Sequence, residues 1–383
     1  MLIGIPRETR PGETRVAATP ETVKKLAASG KHALVVEAGA GLASSITDEQ
    51  YVAAGATIGT AAQALGADIV LKVRAPAGAE LASLKSGAVL VGLLNPYDAA
   101  AIEACAKAGV TGFALEKLPR ISRAQSMDVL SSQANIAGYK AVMLAVHHYQ
   151  RFFPMLMTAA GTVKAARVVI LGVGVAGLQA IATARRLGAK VEAYDVRPAV
   201  KEQVQSLGAK FVELALDTAG AEDKGGYAKA QDETFYARQR ELLGKVVAAS
   251  DVVITTAAVP GQQAPVLITA DMVAGMAPGS VIVDLAAERG GNCELTRAGE
   301  VVRAGEVTIL GPTNVASALP FHASQMYAKN VTTFLLSMLK KGELTINTAD
   351  EVVRETLVTR DGDIVHPRVR QVHGLPAAEP ARA

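Results

Sequence analysis

A glycine-rich turn between two short apolar segments constrains the fold of this chain more than any other feature. The β-branched segment Arg167–Leu171 is typical of a buried strand, and Gly-Val-Gly-Val-Ala-Gly follows it directly at residues 172–177. Residues 178–187 are predicted to form a helix, and Lys190–Tyr194 a second strand. This order of strand, turn, helix and strand is that of a βαβ unit in a doubly wound sheet.

The three glycines of the turn suit the approach of a nucleotide pyrophosphate. Gly172 permits the tight turn out of the strand, Gly174 lets the backbone approach the phosphates, and Gly177 lets the helix pack against the sheet. The start of the helix presents N–H groups and a positive dipole end to an anion. We therefore predict a dinucleotide-binding site that comprises Gly172, Gly174, Val175 and Gly177.

An acidic residue stands at the end of the second predicted strand. Asp195 lies 18 residues after Gly177, near the spacing at which a carboxylate binds the ribose diol of a nucleotide. A carboxylate there would repel the 2′-phosphate of NADP(H), so the sequence favours NAD(H) as the cofactor. Val196 and Arg197 follow directly and belong to the predicted cofactor-binding residues.

The composition indicates a soluble protein of two domains. A chain of 383 residues exceeds the usual size of one core, and half of its residues are hydrophobic. The formal net charge is +3 and tryptophan is absent, so nothing indicates nucleic-acid binding. Cys105 and Cys293 are expected to be reduced thiols, and the histidines form no metal-binding pattern. No segment is typical of a signal peptide or a membrane-spanning helix.

Strands and helices alternate along both halves of the chain, which predicts two Rossmann-like, doubly wound parallel-sheet domains separated by a cleft. The predicted strands are Leu2–Ile5 and residues 32–37, 68–73, 88–93 and 110–114 in the first half, and include residues 251–255, 280–285 and 307–310 in the second. The first domain is expected to be discontinuous, with residues 1–133 and 320–383, and the NAD(H)-binding domain to comprise residues 134–319. After Asp350 the chain is polar and then rich in proline and alanine, so a loosely ordered tail is expected.

Residues 118–133 interrupt this alternation with strong hydrogen-bonding side chains, among them Arg120, Gln125, Asp128 and Ser131. They form either a polar loop between the domains or a loop that lines the cleft, where ligands commonly bind. A long amphipathic helix is predicted to follow at residues 135–152. Residues 219–227 are similarly open to two interpretations: a surface loop, or a lid with Gly225 and Gly226 as hinge and Tyr227 as cover.

Several motifs resemble the family shared by alanine dehydrogenases and proton-translocating nicotinamide nucleotide transhydrogenases. They lie at residues 5–8 (Ile-Pro-Arg-Glu), 15–17 (Arg-Val-Ala), 37–41 and 276–284. Two longer stretches, residues 120–133 and 172–184, resemble the transhydrogenase branch. The resemblance covers roughly residues 1–340 and also residues 358–367.

The resemblance implies the soluble NAD(H)-binding component of a Re/Si-specific, proton-translocating transhydrogenase. It implies that Arg120, Gln125 and Asp128, with Ser131 nearby, lie beside the nicotinamide, and that a mobile loop with Gly226 and Tyr227 covers the nucleotide. NADP(H) would bind to a partner domain of the β subunit, and a membrane-spanning component would carry the protons. A homodimer on the cytoplasmic face of the inner membrane, bound there through its partner subunits, is expected.

Two alternatives remain open at this point. One is a self-sufficient dehydrogenase of the alanine dehydrogenase type, and the other is an NAD-binding regulator without turnover. Alanine dehydrogenases carry a catalytic histidine near the position of Asn95, and this chain has no histidine between His32 and His147. Imine hydration needs a proton shuttle, whereas direct hydride transfer between nicotinamide rings needs only positioning. Arg15 and Lys72 match substrate positions of alanine dehydrogenases and are interpreted here as structural or cleft charges.

Overall fold

The computed structural model describes residues 1–214, 216, 232–258 and 263–376. Two compact units are present: residues 1–133 with the described residues from 317 onwards, and residues 134–316. Gly225, Gly226 and Tyr227, for which the sequence predicts a lid, lie outside the described residues.

The strands are numbered in chain order. They are β1 (Leu2–Ile5), β2 (Ala33–Glu37), β3 (Thr57–Gly59), β4 (Ile69–Arg74), β5 (Val89–Leu93), β6 (Thr111–Ala114), β7 (Leu156–Thr158), β8 (Gly161–Val163), β9 (Arg167–Leu171), β10 (Lys190–Tyr194), β11 (Lys210–Phe211), β12 (Val252–Thr255), β13 (Val281–Asp284), β14 (Val301–Ala304), β15 (Val307–Leu310), β16 (Leu339–Lys340), β17 (Glu343–Leu344), β18 (Leu357–Arg360) and β19 (Asp363–Ile364).

The α-helices are numbered in the same way. They are α1 (Pro20–Ala27), α2 (Asp48–Ala53), α3 (Ala61–Leu65), α4 (Ala79–Ser83), α5 (Ala99–Lys107), α6 (Val129–His148), α7 (Val175–Arg186), α8 (Lys201–Ser206), α9 (Glu233–Ala248), α10 (Ala270–Ala274), α11 (Pro320–Met338), α12 (Glu351–Thr356) and α13 (Pro367–Val372). None of the described helices is long and apolar enough to cross a membrane.

The first unit is built on an eight-stranded sheet with the order β19-β18-β6-β5-β4-β1-β2-β3. Strands β1 to β6 are parallel, and their order is that of a doubly wound Rossmann sheet. The central strands are buried on both faces, which explains why they read as continuous apolar runs in the sequence. The sequence therefore predicts the fold class of this unit correctly.

The second unit repeats the same architecture. Its seven-stranded sheet has the order β11-β10-β9-β12-β13-β15-β14, with all neighbours parallel except the edge strand β14. The glycine turn lies between β9 and α7, where the strand order reverses between β10 and β12. In open α/β sheets this reversal point is where ligands bind, outside the carboxyl ends of the strands.

The prediction of a loosely ordered tail after Asp350 is wrong for the residues up to 376. Helix α12, the strands β18 and β19 and helix α13 occupy this stretch, and β18 pairs antiparallel with β6 of the first sheet. The hydroxyl of Thr359 donates to the Val110 carbonyl at 3.0 Å and accepts from the Gly112 N–H at 3.1 Å. Burial of Leu357 and Val358 stabilises this segment, and its polar composition does not predict that it is ordered.

The expected loop at residues 118–133 is also shorter than predicted. Residues Ser122–Met127 form a 3-10 helix, and α6 begins at Val129 and not near Asn135. The cause is a helix cap, because the Asp128 carboxylate accepts the Ser131 N–H at 2.9 Å. Ser131 is therefore a residue of the first turn of α6.

Candidate functional site

The backbone of the glycine turn has the geometry that a close ligand approach requires. Gly172 has φ +99°, in the left-handed region, and its N–H donates to the Tyr194 carbonyl at 2.9 Å. A Cβ atom on Gly177 would lie 2.0 Å from the Gly172 carbonyl oxygen, so α7 can approach the turn only with glycine at this position. A Cβ atom on Gly174 would meet no atom within 4 Å, which leaves this side of the turn open.

Helix α7 begins directly at this open side. Gly174 is its N-cap residue and makes no side-chain capping bond, so no cap side chain takes the N–H groups of the first turn at Val175 and beyond. A helix start of this kind binds anions through its N–H groups and its dipole. The open turn and the uncapped helix together fit a pyrophosphate group.

Asp195 lies at the end of β10, as the sequence predicts, and is 8% exposed. One carboxylate oxygen, Oδ2, accepts the Val173 N–H at 2.7 Å, and the other, Oδ1, accepts the Arg197 N–H at 2.9 Å. The Arg197 guanidinium adds a two-pronged ion pair, with Nε 2.9 Å from Oδ1 and Nη2 2.8 Å from Oδ2. The carboxylate is thus held by two backbone N–H groups and by the guanidinium.

The pairing with Arg197 changes the electrostatic argument drawn from the sequence. A carboxylate that is neutralised by a guanidinium repels a 2′-phosphate less than an isolated carboxylate does. Arg197, which the sequence analysis includes only as a neighbour of Asp195, therefore weakens the charge repulsion on which the prediction of NAD(H) rests.

The segment with Arg120, Gln125, Asp128 and Ser131 lies in the first unit. Asp128 and Ser131 contact each other, because the Ser131 hydroxyl donates to Asp128 Oδ2 at 2.6 Å. The Gln125 side chain is exposed and makes no hydrogen bond to another described residue, and Arg120 is exposed as well. Two contacts anchor the segment within the unit. The Asn330 side-chain amide donates to the Ser126 carbonyl at 2.8 Å, and the Arg123 guanidinium donates to the Asp350 carboxylate at 2.9 Å.

The cations Arg15 and Lys72 are buried in ion pairs within the first unit. Arg15 is 3% exposed and donates to both carboxylate oxygens of Glu13 at 2.7 Å. Lys72 is 1% exposed and lies 2.7 Å from Glu80 and 3.5 Å from Glu8. Burial alone would raise the pKa of Glu13, but hydrogen bonds and charge attraction from Arg15 outweigh it and hold the pKa at about 2. The structural interpretation of the two cations fits this arrangement.

Asn95, near which the family resemblance implies the catalytic histidine of alanine dehydrogenases, is held through its backbone. Asn95 has φ +53°, a conformation that asparagine tolerates better than most residues. Its N–H donates to Glu116 Oε1 at 2.7 Å, and the Leu94 N–H donates to Oε2 at 3.2 Å. Burial raises the pKa of Glu116, although these backbone bonds act in the opposite direction. No sequence pattern indicates Glu116, because its partners lie more than twenty residues away.

Comparisons with known proteins match both units of the chain. A family model described as the N-terminal domain of alanine dehydrogenase/PNT matches residues 4–137, and the model of the C-terminal domain of the same family matches residues 141–367. The chain belongs to the alanine dehydrogenase/PNT family. This is an oxidoreductase family whose members bind NAD(H) with Rossmann-like domains.

The chain is more similar to transhydrogenase members of the family than to alanine dehydrogenase members. The chain is 53% identical to the first part of the NAD(P) transhydrogenase alpha subunit of Rhodospirillum rubrum, over 96% of this chain and 98% of that protein. It is 31% identical to an alanine dehydrogenase of Mycobacterium tuberculosis, over 100% of this chain and 99% of that enzyme. A crystal structure of transhydrogenase from Sinorhizobium meliloti superposes with a TM-score of 0.87 at 51% identity, over 95% of this chain and 100% of that one. The chain is thus a homologue of transhydrogenase alpha subunits.

Proposed function

We propose that this protein is the NAD(H)-binding component of a Re/Si-specific, proton-translocating transhydrogenase, and that it binds NADH on its second unit. The observation that carries the proposal is the turn at residues 172–177, which is open at Gly174 and leads into the uncapped start of α7. The turn would hold the pyrophosphate with Gly172, Gly174, Val175 and Gly177. Asp195, Val196 and Arg197 would hold the adenosine ribose.

NADH bound in this way supplies a hydride to NADP⁺ held on a partner domain. We infer from the family resemblance that Arg120, Gln125, Asp128 and Ser131 orient the nicotinamide ring. Transfer between two rings needs a fixed distance and angle and no acid or base, so neutral and charged hydrogen-bonding groups suffice. Gly226 and Tyr227 are proposed to cover the nucleotide.

The observed ion pairs count against the alternative of an alanine dehydrogenase. Arg15 and Lys72 would have to bind a substrate carboxylate, but the carboxylates of Glu13 and Glu80 already contact them at 2.7 Å. The backbone of Asn95 is held by Glu116, and an amide side chain cannot serve as a proton shuttle near neutral pH. Direct hydride transfer needs neither an anion site there nor a shuttle.

The proposal includes partners on which the chain depends for turnover. They are the NADP(H)-binding domain of a β subunit and a membrane-spanning proton-channel component. The chain would act as a homodimer on the cytoplasmic face of the inner membrane, and alone it would move no protons.

The decisive experiment is a mixing assay. Hydride exchange between NADH and an oxidised NADP analogue is measured with the purified chain, with an NADP-binding domain of a transhydrogenase, and with both. We expect exchange only in the mixture. Oxidation of L-alanine by NAD⁺ with the chain alone would overturn the proposal in favour of the dehydrogenase, and NADH binding without exchange in the mixture would favour the regulator.

A substitution at Asp195 tests the proposed ribose site directly. Asp195→Ala removes the proposed ribose acceptor and is expected to weaken NADH binding by about 1–3 kcal/mol, because the ribose hydroxyls lose their partner. The dissociation constant is measured by titration of NADH fluorescence. An unchanged constant would remove Asp195 from the ribose site.

A further inference from the structure

A buried carboxylate at the end of β13 forms hydrogen bonds to the loops next to the glycine turn. Asp284 is fully buried and accepts hydrogen bonds at both of its carboxylate oxygens. Oδ1 accepts from the Thr255 hydroxyl at 2.8 Å and from the Ala286 N–H at 3.0 Å. Oδ2 accepts from the N–H groups of Asn292 and Cys293, at 2.7 and 3.0 Å, and from the Thr296 hydroxyl at 2.7 Å. Burial of this polar group is tolerated because hydrogen-bond donors surround both of its oxygens.

The loop that Asp284 holds presents a second buried group, the side-chain amide of Asn292. Its Oδ1 accepts the Ala257 N–H at 3.0 Å, and its Nδ2 donates at 2.8 Å both to the Ala257 carbonyl and to the Pro265 carbonyl. Asn292 thus hydrogen-bonds to both the N–H and the carbonyl of Ala257, which fixes the orientation of the backbone there. The side chain is fully buried.

The backbone that Asn292 fixes is in contact with the glycine turn. Thr256, the residue before Ala257, donates its hydroxyl hydrogen to the Gly172 carbonyl at 2.8 Å. A Cβ atom on Gly172 would lie 2.8 Å from both the Ala257 nitrogen and the Thr256 Oγ1, so the two segments already touch. A continuous set of short contacts therefore leads from Asp284 through Asn292 and Thr256 to Gly172.

We propose that Asn292 and Thr256 are positioning residues of the pyrophosphate site. They fix the turn at Gly172, so that the N–H groups from Gly174 onwards face the phosphates. The inference rests on the proposed function, since it assumes that the turn binds NADH. A displacement of the turn by about 1 Å would spoil the N–H geometry toward the phosphates. It would affect the ribose contact at Asp195 much less, because Asp195 follows β10 directly and is also held by the backbone and side chain of Arg197.

The test compares ligands that contain or lack phosphate. Dissociation constants of adenosine, ADP and NADH are measured by calorimetry for the wild type and for Thr256→Val, Thr256→Ser and Asn292→Ala. Valine has the shape of threonine without the hydroxyl, and serine restores the hydroxyl. We expect Thr256→Val and Asn292→Ala to weaken ADP and NADH binding by about tenfold, the scale of one lost hydrogen bond to a charged group. The adenosine constant should not change, and Thr256→Ser should resemble the wild type.

Val204→Ala is the control for loss of stability, because Val204 is buried in α8 of the same unit and lies outside this set of contacts. It should lower the melting temperature without changing the ratio of the ADP to the adenosine dissociation constant. An equal weakening of adenosine and ADP binding in Thr256→Val, or no weakening of either, would overturn the inference. Failure of the wild type to bind NADH would instead refute the proposed function. If Asn292→Ala does not fold, the valine and serine pair at Thr256 decides the question.

Discussion

At the scale of single residues, the ion pair between Asp195 and Arg197 determines what the proposed ribose site can discriminate. The guanidinium is planar and always charged, and it contacts both oxygens of a carboxylate that is 8% exposed. A ribose diol bound there would share the carboxylate with the guanidinium, while a 2′-phosphate would meet a pair of zero net charge. If Asp195 binds the ribose as proposed, selection of NAD(H) depends on Arg197 as well as on Asp195.

We predict that Arg197→Ala raises the ratio of the NADPH to the NADH dissociation constant by about tenfold. The variant leaves the Asp195 carboxylate without its neutralising partner, and a partly buried charge of this kind repels a phosphate by about 1–2 kcal/mol at short range. Both constants are measured by competition at low and at high salt. Arg197→Lys keeps the charge without the planar fork and serves as the control, with a smaller change expected. An unchanged or lower ratio in Arg197→Ala would show that the guanidinium does not screen the carboxylate from the 2′-phosphate.

At the scale of elements, Asp128 has a structural role and a proposed role at the nicotinamide, which a pair of substitutions can separate. It caps α6 through the Ser131 N–H, and it belongs to the segment proposed to orient the nicotinamide. Asp128→Ala should lower the free energy of unfolding by about 0.5–2 kcal/mol, the usual effect of a lost N-cap. Asp128→Asn retains an acceptor oxygen for the cap and should keep the stability, but should slow hydride transfer because an NH₂ group replaces one carboxylate oxygen.

Chemical unfolding and the mixing assay are measured on both variants. Full hydride transfer in Asp128→Asn would restrict Asp128 to the helix cap. The same assay on Gln125→Asn gives a comparison within the segment, since the Gln125 side chain makes no hydrogen bond to another described residue and a change there should leave the stability unaltered.

Helix α13 depends on a neutral histidine. His366 is 2% exposed, and its Nδ1 accepts the Val369 N–H at 3.4 Å as the N-cap of the helix. Burial lowers the pKa of His366, and Lys117 and Arg368 lower it further, while Glu355 acts in the opposite direction. Because the folded-state pKa lies below the unfolded value of about 6.5, the stabilisation is complete at higher pH and is lost as the pH falls below that value.

We therefore predict that the difference in unfolding free energy between the wild type and His366→Asn shrinks when the pH is lowered from about 7.5 to about 5. Asparagine can cap the helix but does not titrate in this range. The difference is used because other histidines titrate in both proteins. Denaturant unfolding at the two pH values measures it, and an equal difference at both would show that His366 does not couple protonation to stability.

The elements that the sequence predicts well share one physical property. Strands β1, β9 and β15 are rich in aliphatic residues and lie in the inner part of the sheets, so the pattern and the structure agree at their ends. Several of the elements that it misses lie at sheet edges. The strand β3, the strand β14 and the pair β18–β19 carry polar residues, and pairing with a neighbouring strand, more than an apolar pattern, makes them strands.

At the scale of the whole molecule, a similar division separates the predictable from the unpredictable parts of the site. The turn at residues 172–177 and Asp195 can be found because their spacing within one βαβ unit is fixed by local geometry. Asp284 and Asn292 cannot, because their partners at Thr255, Ala257 and Pro265 lie 27–35 residues away. Side chains joined only through the folded sheet leave no periodic trace in a single sequence.

Assembly is the remaining property of the whole molecule that the structure makes testable. The hairpin of β7 and β8 pairs with no other described strand. Apolar side chains are exposed in it and directly before it, with Met157 76% and Met155 58% exposed. A two-stranded hairpin is marginally stable alone, so a partner surface is expected to cover it. The occupant proposed here is a second copy of the chain, in agreement with the expected homodimer.

We predict that Met157→Glu converts the proposed dimer into monomers, because it places a charge in an apolar contact that would otherwise be desolvated. Light scattering coupled to size exclusion measures the mass at low micromolar concentration. Val52→Glu, on the 56% exposed Val52 of helix α2, introduces the same charge elsewhere and should leave the mass unchanged. A dimeric mass for Met157→Glu would move the interface away from the hairpin. NADH binding should survive in the monomer, since the residues proposed to hold the nucleotide all belong to one chain.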